Sequence, residues 1–360
     1  MRLALRYCLP RVRRQGYGLG NELLPWARAF LASQVLQIPC LPPAFGLNRR
    51  GYWRHFRTPP DDWLRNRALE RLLPVIDFTE ADWLQYGGGD VVPALQRFAD
   101  ARGLHQRRAY VLLTDGLWGG WQHVQAAREF IRATLYQSRF AAANLLRLRE
   151  RLSADRLLVA MHIRLGDFAA PVAADQYRGT PNCSLPLTWF RDIALALQRS
   201  LGGQLQFLLI TDGEPSQLRP LMDAVPCITT GDIPDGDCSD LLMLASADLL
   251  LCSTSTYSSL AAFLSDAPYL WFAPNLHGNA QARWLGERSD EMQRPGSPLR
   301  VALDSHPDTP STLARGIPVD LDAHLPQWLP TYLLERLALK RWQTDLVRGG
   351  APLSPAGRHL

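Results

Sequence analysis

Three stretches of this sequence place polar or charged residues directly after apolar runs. Residues 157–168 read LLVAMHIRLGDF, an apolar run followed by His162, Arg164, Gly166 and Asp167. Residues 205–212 read LQFLLITD and end on Thr211 and Asp212. Residues 247–256 read ADLLLCSTST and end on Ser253, Thr254, Ser255 and Thr256. Such apolar runs are strands buried on both faces of a parallel sheet. Ligands sit at the carboxyl edge of such a sheet. A guanidinium there offers paired donors to a phosphate, a bond worth about 1.5–3 kcal/mol. It contributes more to rate if it tightens as a diphosphate departs. Hydroxyls and N–H groups at a helix start suit the same anion. Each feature also has a plainer reading. Arg164 could pair with Asp167, and His162 could be a satisfied buried imidazole. Thr211, Asp212 and the Ser/Thr run could be ordinary caps.

Taken together, the three stretches read as three walls of one nucleotide-sugar pocket, and the rest of the chain must position them. Residues 2–9 read as a strand, and 10–20 as a basic turn ending in RRQGYGLG. Asn21 is placed to cap the next helix, with Leu24, Ala27, Leu31 and Leu36 inward and Pro25 in its first turn. No GK[ST] follows, so this is not a P-loop. Residues 46–57, GLNRRGYWRHFR, mix Arg49, Arg50, Arg54 and Arg57 with Tyr52, Trp53 and Phe56. They read as a surface loop with its aromatics packed inward, or as a patch facing an acceptor or a membrane. Asp232, Asp235, Asp237 and Asp240 crowd into GDIPDGDCSD. That run lacks the spacing and terminal Glu of a calcium loop. It reads as a turn with Asp237 or Ser239 capping a helix, or with Asp240 beside a ligand.

Further strands are expected at 109–114, 227–229, 248–252 and 268–272. Helices are expected near 64–73, 94–101, 187–200, 215–223, 239–247, 257–265 and 325–347, and residues 121–151 form one long helix or two. This alternation predicts an α/β fold with a doubly wound parallel sheet. It divides the chain at 1–151, 152–324 and a C-terminal helix and tail at 325–360. The composition, 47% hydrophobic and 20% charged with net charge +5, is that of a folded protein favouring acidic ligands or an anionic surface. No finger or RNP-like motif points to nucleic acid. The six cysteines form no CxxC pair, so no disulfide framework is expected. Arg11, Arg13 and Arg14 interrupt any leader-like apolar region, and no window of about 18 apolar residues suggests a membrane span. A cytoplasmic site is expected.

HIRLGDF at 162–168 resembles the HxRRGDY/F motif of GDP-fucose-dependent fucosyltransferases, nearest the bacterial α-1,2 group, with α-1,6 and protein O-fucosyltransferases in the wider superfamily. GYGLGNELLPWARAFLAS resembles that superfamily's GxGNQ loop and helix. DLLMLASADLLLCSTSTYSSLAAFL at 240–264 resembles its third region. The likeness covers residues 3–36 and 157–272. It implies a GT-B-like architecture, two Rossmann-like domains facing across a cleft, and metal-independent, inverting transfer of fucose from GDP-fucose to a glycan hydroxyl. Arg164 would then bind the β-phosphate, with His162 and Asp167 shaping that wall beside Thr211 and Asp212. Asp240 would meet the guanine edge, and Ser255 and Thr256 would hold phosphate oxygens. Gly18, Gly20 and Asn21 would face the cleft, and Asp167 and Glu22 are candidate bases. No divalent metal or other cofactor is expected. The expected acceptor is an oligosaccharide or lipid-linked glycan, reached by peripheral contact with the inner face of the plasma membrane. There are departures. Leu165 stands where the α-1,2 group has a second Arg, Glu22 replaces Gln, and Tyr257-Ser258-Ser259 lacks an aromatic continuation. Another nucleotide-sugar donor, or a non-catalytic nucleotide- or glycan-binding protein, are the alternative readings.

Overall fold

The structure is a computed structural model that describes residues 4–11, 17–43, 45, 50–56, 60–168, 183–272 and 316–349. Arg13, Arg14, Arg49, Arg57, residues 169–182 and the tail after 349 lie outside the described residues.

Strands β1 (Leu5–Pro10), β2 (Val75–Phe78) and β3 (Ala109–Thr114) form a parallel sheet in the order β1-β3-β2. The helices of this half are α1 (Leu19–Leu36), α2 (Trp53–Phe56), α3 (Pro60–Leu72), α4 (Glu80–Gln85) and α5 (Val91–Ala101). Helices α6 (Arg128–Tyr136) and α7 (Ala141–Arg151) then lead to a second sheet. Its strands are β4 (Leu157–Ile163), β5 (Leu205–Thr211), β6 (Cys227–Thr229), β7 (Leu249–Cys252), β8 (Tyr269–Phe272) and β9 (Gly316–Val319). They run in the order β6-β5-β4-β7-β8-β9, every pair parallel. Helices α8 (Leu187–Leu201), α9 (Pro215–Met222), α10 (Asp237–Ala245), α11 (Thr256–Leu264) and α12 (Trp328–Gly349) complete the described chain. The expected α/β fold is present, with two parallel sheets whose carboxyl edges meet in one cleft, the GT-B-like layout.

All of β4 is buried. Its side chains alternate, with Leu158 and Ala160 entering one core and Leu157, Val159, Met161 and Ile163 the other. That two-sided burial is why the strand reads as an unbroken apolar run. The first core continues without a break into α1, α5, α6, α7, α10 and α11. The second is closed by α8 and by Trp328, Leu329, Tyr332 and Leu333 of α12. The strand order reverses between β4 and β7, the crevice where such sheets bind ligands.

Three local expectations need correction. Asn21 does not cap α1: the helix begins at Leu19 with Gly18 as its N-cap, and Asn21 lies in its first turn. Neither Asp237 nor Ser239 caps α10, which starts at Asp237 after Gly236 with no side-chain cap. The α9 start is capped by a Glu214–Gln217 box with Pro215 in its first turn, so Thr211 and Asp212 are not its caps. Of the two readings offered for residues 121–151, the two-helix one holds, with single turns at Trp121–His123 and Gln125–Ala127 before α6.

Candidate active site

A cavity of about 830 Å³ opens where the carboxyl edges of the two sheets meet. The ends of β4, β5, β6 and β7 and the starts of α1, α10 and α11 line it. His162, Arg164, Asp167, Thr211, Asp212, Asp240, Ser255 and Thr256 all reach it, together with Gly18, Gly20 and Asn21. Glu22 does not.

Arg164 follows β4 at the reversal point. Its Nη2 lies 2.6 Å from Asp167 Oδ1 and its Nη1 2.7 Å from Asp212 Oδ2. The pairing with Asp167 is thus present, with Asp212 as a second partner. Asp212 Oδ1 also accepts the Leu165 N–H at 2.9 Å. Gly166 permits this close turn, since a Cβ there would stand 2.5 Å from Asp212 Oδ2. The β4 and β7 ends are tied together by Ser253, whose Oγ accepts the Arg164 N–H at 3.0 Å and donates to His162 O at 2.7 Å.

His162 is buried and shares a 2.7 Å hydrogen bond with Ser258 Oγ through Nδ1. Burial, then the neighbouring Arg164, pulls its pKa down to about 3, against Asp212. The imidazole is therefore a neutral wall of the cavity at ordinary pH, its ring 5.0 Å from that of Tyr257.

Two helix starts converge here. Ser255 is the N-cap of α11 and accepts from the Tyr257 N–H at 3.1 Å. At the start of α1, Gly20 lies so close to α11 that a Cβ would stand 2.7 Å from Thr256 O. The positive ends of two macrodipoles thus border one space, a natural anion site.

Asp240 occupies the first turn of α10, beyond β6. Its Oδ2 accepts from Thr230 Oγ1 at 3.0 Å, while its buried Oδ1 has no partner among the described residues. Burial raises its pKa to about 7; the Thr230 bond opposes this and Asp237 adds to it. Arg164, after β4, and Asp240, on α10 beyond β6, line the same cavity from parts of the second sheet that lie two strands apart. Tyr257, whose hydroxyl donates to Asp237 O, closes the wall between them.

Glu22 instead lines a side cavity of about 130 Å³ with Arg11, Asp115 and Gly116. The two cavities share Tyr17, Asn21 and Leu117 as walls. Buried Arg28 holds the 115–118 loop there, donating to Trp118 O at 2.7 Å, Asp115 O at 3.1 Å and Gly116 O. Arg50, Tyr52 and Tyr257 are cavity residues that the motifs did not mark as site residues. The only signal for the first two was the Arg/aromatic mixture of their segment. Among the described residues, no three His, Cys, Asp or Glu side chains cluster as a metal site would require.

No family model matches the sequence, and no curated protein matches it. Among solved structures the chain is similar to the fucosyltransferase NodZ from Bradyrhizobium, at 16% identity and a TM-score of 0.46 over 72% of this chain and 94% of that one. It is also similar to POFUT1 in complex with GDP-fucose, at 11% identity and 0.43 over 73% and 96%. A third is the E. coli heptosyltransferase WaaC with ADP, at 12% identity and 0.33 over 93% and 100%. NodZ is described as an α-1,6 enzyme, whereas the motifs lay nearest the α-1,2 group. At such identities no activity passes from these proteins to this chain.

Proposed function

We propose that the protein is a glycosyltransferase that takes fucose from GDP-fucose and inverts the anomeric centre without a divalent metal. The observation that carries this reading is the cavity's polarity. Arg164 and two helix starts form an anion end, and Asp240 on α10, beyond β6, forms a hydrogen-bond-accepting end. A guanine edge donates N–H groups that Asp240 can accept. The diphosphate would lie against Arg164 and the α1 and α11 starts, with Ser255 and Thr256 at the latter.

In the proposed reaction an acceptor hydroxyl oxygen bonds to the anomeric carbon as the bond to the β-phosphate oxygen breaks. GDP leaves with the electron pair, and a carboxylate takes the hydroxyl proton. Asp167 is bound to Arg164 and close to Arg50. Glu22 is buried in the side cavity that shares walls with the main one, so Asp167 and Glu22 are the two candidate bases. Guanidinium and helix-end charge stabilises the departing diphosphate. The acceptor is an oligosaccharide or a lipid-linked glycan. The net charge of +5 and the exposed α3 residues Leu64 and Leu72 support peripheral contact with an anionic membrane. No helix among the described residues is long and apolar enough to cross a membrane.

The test is a thermal-shift panel of GDP, UDP, ADP and GDP-fucose in EDTA, on wild type and Arg164→Ala, followed by GDP release from GDP-fucose. GDP ligands should stabilise selectively. Arg164→Ala should weaken them at least tenfold, since a charge-assisted bond is worth about 1.5–3 kcal/mol. Equal stabilisation by all three nucleotides would sink the GDP-fucose reading, and loss of turnover in EDTA would sink metal independence.

A further inference from the structure

Two guanidiniums line the main cavity among the described residues, Arg164 from the second sheet and Arg50 from the first half of the chain. They meet at one carboxylate. Asp167 Oδ1 is 2.6 Å from Arg164 Nη2, and Asp167 Oδ2 is 3.8 Å from Arg50 Nη2. Leu165, next in sequence to Arg164, cannot supply a second cation at this edge.

Arg50 is carried there by a strap that crosses the cavity. Residues 50–56 begin at Asp167, pass Tyr52 in the cavity wall, and end in α2 beside the turn that precedes α10. The far end is pinned. Arg54 Nη1 lies 3.0 Å from Asp235 Oδ1. His55 is buried, with Nε2 3.2 Å from Asp237 Oδ2 and Nδ1 3.2 Å from Ser138 Oγ. The Arg139 N–H donates to His55 O at 3.0 Å. The turn it grips is itself fixed. Asp235 sits at a φ of 51°, the left-handed region, and Asn144 Nδ2 donates to Pro234 O at 3.0 Å and toward Asp235 O at 3.4 Å. One end of the strap is therefore anchored on the Asp240 side of the cavity while the other delivers a cation to the Arg164 side.

We propose that Arg50 is a second diphosphate-binding residue of this pocket, positioned by the strap 50–56. The proposal deepens the donor reading above and rests on it. A phosphate oxygen can take the place between Arg164 and Arg50 that the Asp167 carboxylate holds, and it accepts from both guanidiniums once Arg50 closes its 3.8 Å gap. Arg50 then supports the charge that grows on the diphosphate as the glycosidic bond breaks. Because the strap is anchored at the base end, Arg50 acts on the phosphates and not on the nucleoside.

The experiment is calorimetric titration of wild type, Arg50→Gln and Arg50→Lys with GDP, guanosine and inorganic pyrophosphate. Arg50→Gln should weaken GDP and pyrophosphate about tenfold, one charge-assisted contact at a partly exposed site, and leave guanosine unchanged. Arg50→Lys should recover part of the loss. Equal weakening of guanosine and GDP, or unchanged GDP and pyrophosphate affinity, would overturn the proposal. If wild type prefers another base, the donor reading fails alone: the same comparison with that nucleotide and pyrophosphate still decides on Arg50. If wild type binds neither nucleotide nor pyrophosphate, both fall.

Discussion

Replacing Asp240 with Asn should make the protein more stable and less able to hold its nucleotide. Burial, opposed by the Thr230 hydroxyl and reinforced by Asp237, raises the carboxyl from 3.8 to about 7. In the unfolded chain the group loses its proton near pH 4, while the folded protein retains it. Folding carries no penalty from Asp240 below about pH 4. The penalty grows as pH rises towards about 7 and is constant above that. A rise of this size corresponds to about 4 kcal/mol. Roughly half is expected in practice, because the carboxylate borders a cavity open to water and water solvates its charge. The stability of Asp240→Asn relative to wild type should therefore increase by about 2 kcal/mol between pH 4.5 and pH 8. Urea denaturation followed by tryptophan fluorescence at both pH values measures this, and comparing the two proteins cancels the other titrating groups. GDP affinity should fall in the variant, since Asn presents one acceptor and one donor where the proposed guanine edge meets two acceptors. In wild type, GDP affinity should rise from pH 6 to pH 8. A stability difference that is flat with pH, or a variant less stable at pH 8, would refute the reasoning.

Two further substitutions probe how the cavity is framed. Gly20→Ala sets a Cβ 2.7 Å from a backbone oxygen that cannot swing away. Overpacking of about 1–3 kcal/mol should outweigh the roughly 1 kcal/mol that Ala gains as a helix former, and thermal denaturation should show a drop of a few degrees. An unchanged or higher melting point would mean that the α1 and α11 starts are not in close contact. Arg28→Lys leaves one flexible ammonium where a planar fork serves three loop carbonyls and lies 3.9 Å from the Trp118 ring centre. It should cost about 2–4 kcal/mol in denaturant titration, and a loss below 0.5 kcal/mol would contradict the clamp.

The sequence was most legible where burial is two-sided. The expected bounds of β3 coincide with those observed, and the apolar runs that open 157–168 and 205–212 are β4 and β5. Edge strands gave mixed results: half-buried β6 lies at the expected 227–229, but two others were harder. β2 is exposed at Val75 and Asp77, so VIDF has no apolar run, and β9 carries a proline. The second-sheet walls of the cavity could be read because strand ends and helix starts are local signals. Of the first-half contributions, Gly18, Gly20 and Asn21 were marked by their loop, while Arg50 and Tyr52 were not. His55 meets Asp237 across 182 positions, and α2 is too short to show a period. Glu22 had a legible helix but not a legible direction, which the close seating of α1 on α11 decides.

Helix α1 is buried on nearly every side, and its neighbours come from both ends of the chain: β1, β3 and α5 from the first half, α6 beyond them, and α11 from the second sheet. A ribosome adding about 5–20 residues per second needs roughly 10–50 s to travel from α1 to α11. During that interval the surface of α1 that α11 will cover stays uncovered, and Gly20 has no Thr256 to meet. A nascent chain stopped at residue 151 is thus a sticky intermediate and a natural client for chaperones. The cavity's two helix starts can meet only once the chain has been made through α11, so the anion site is a property of the finished chain and of neither half alone.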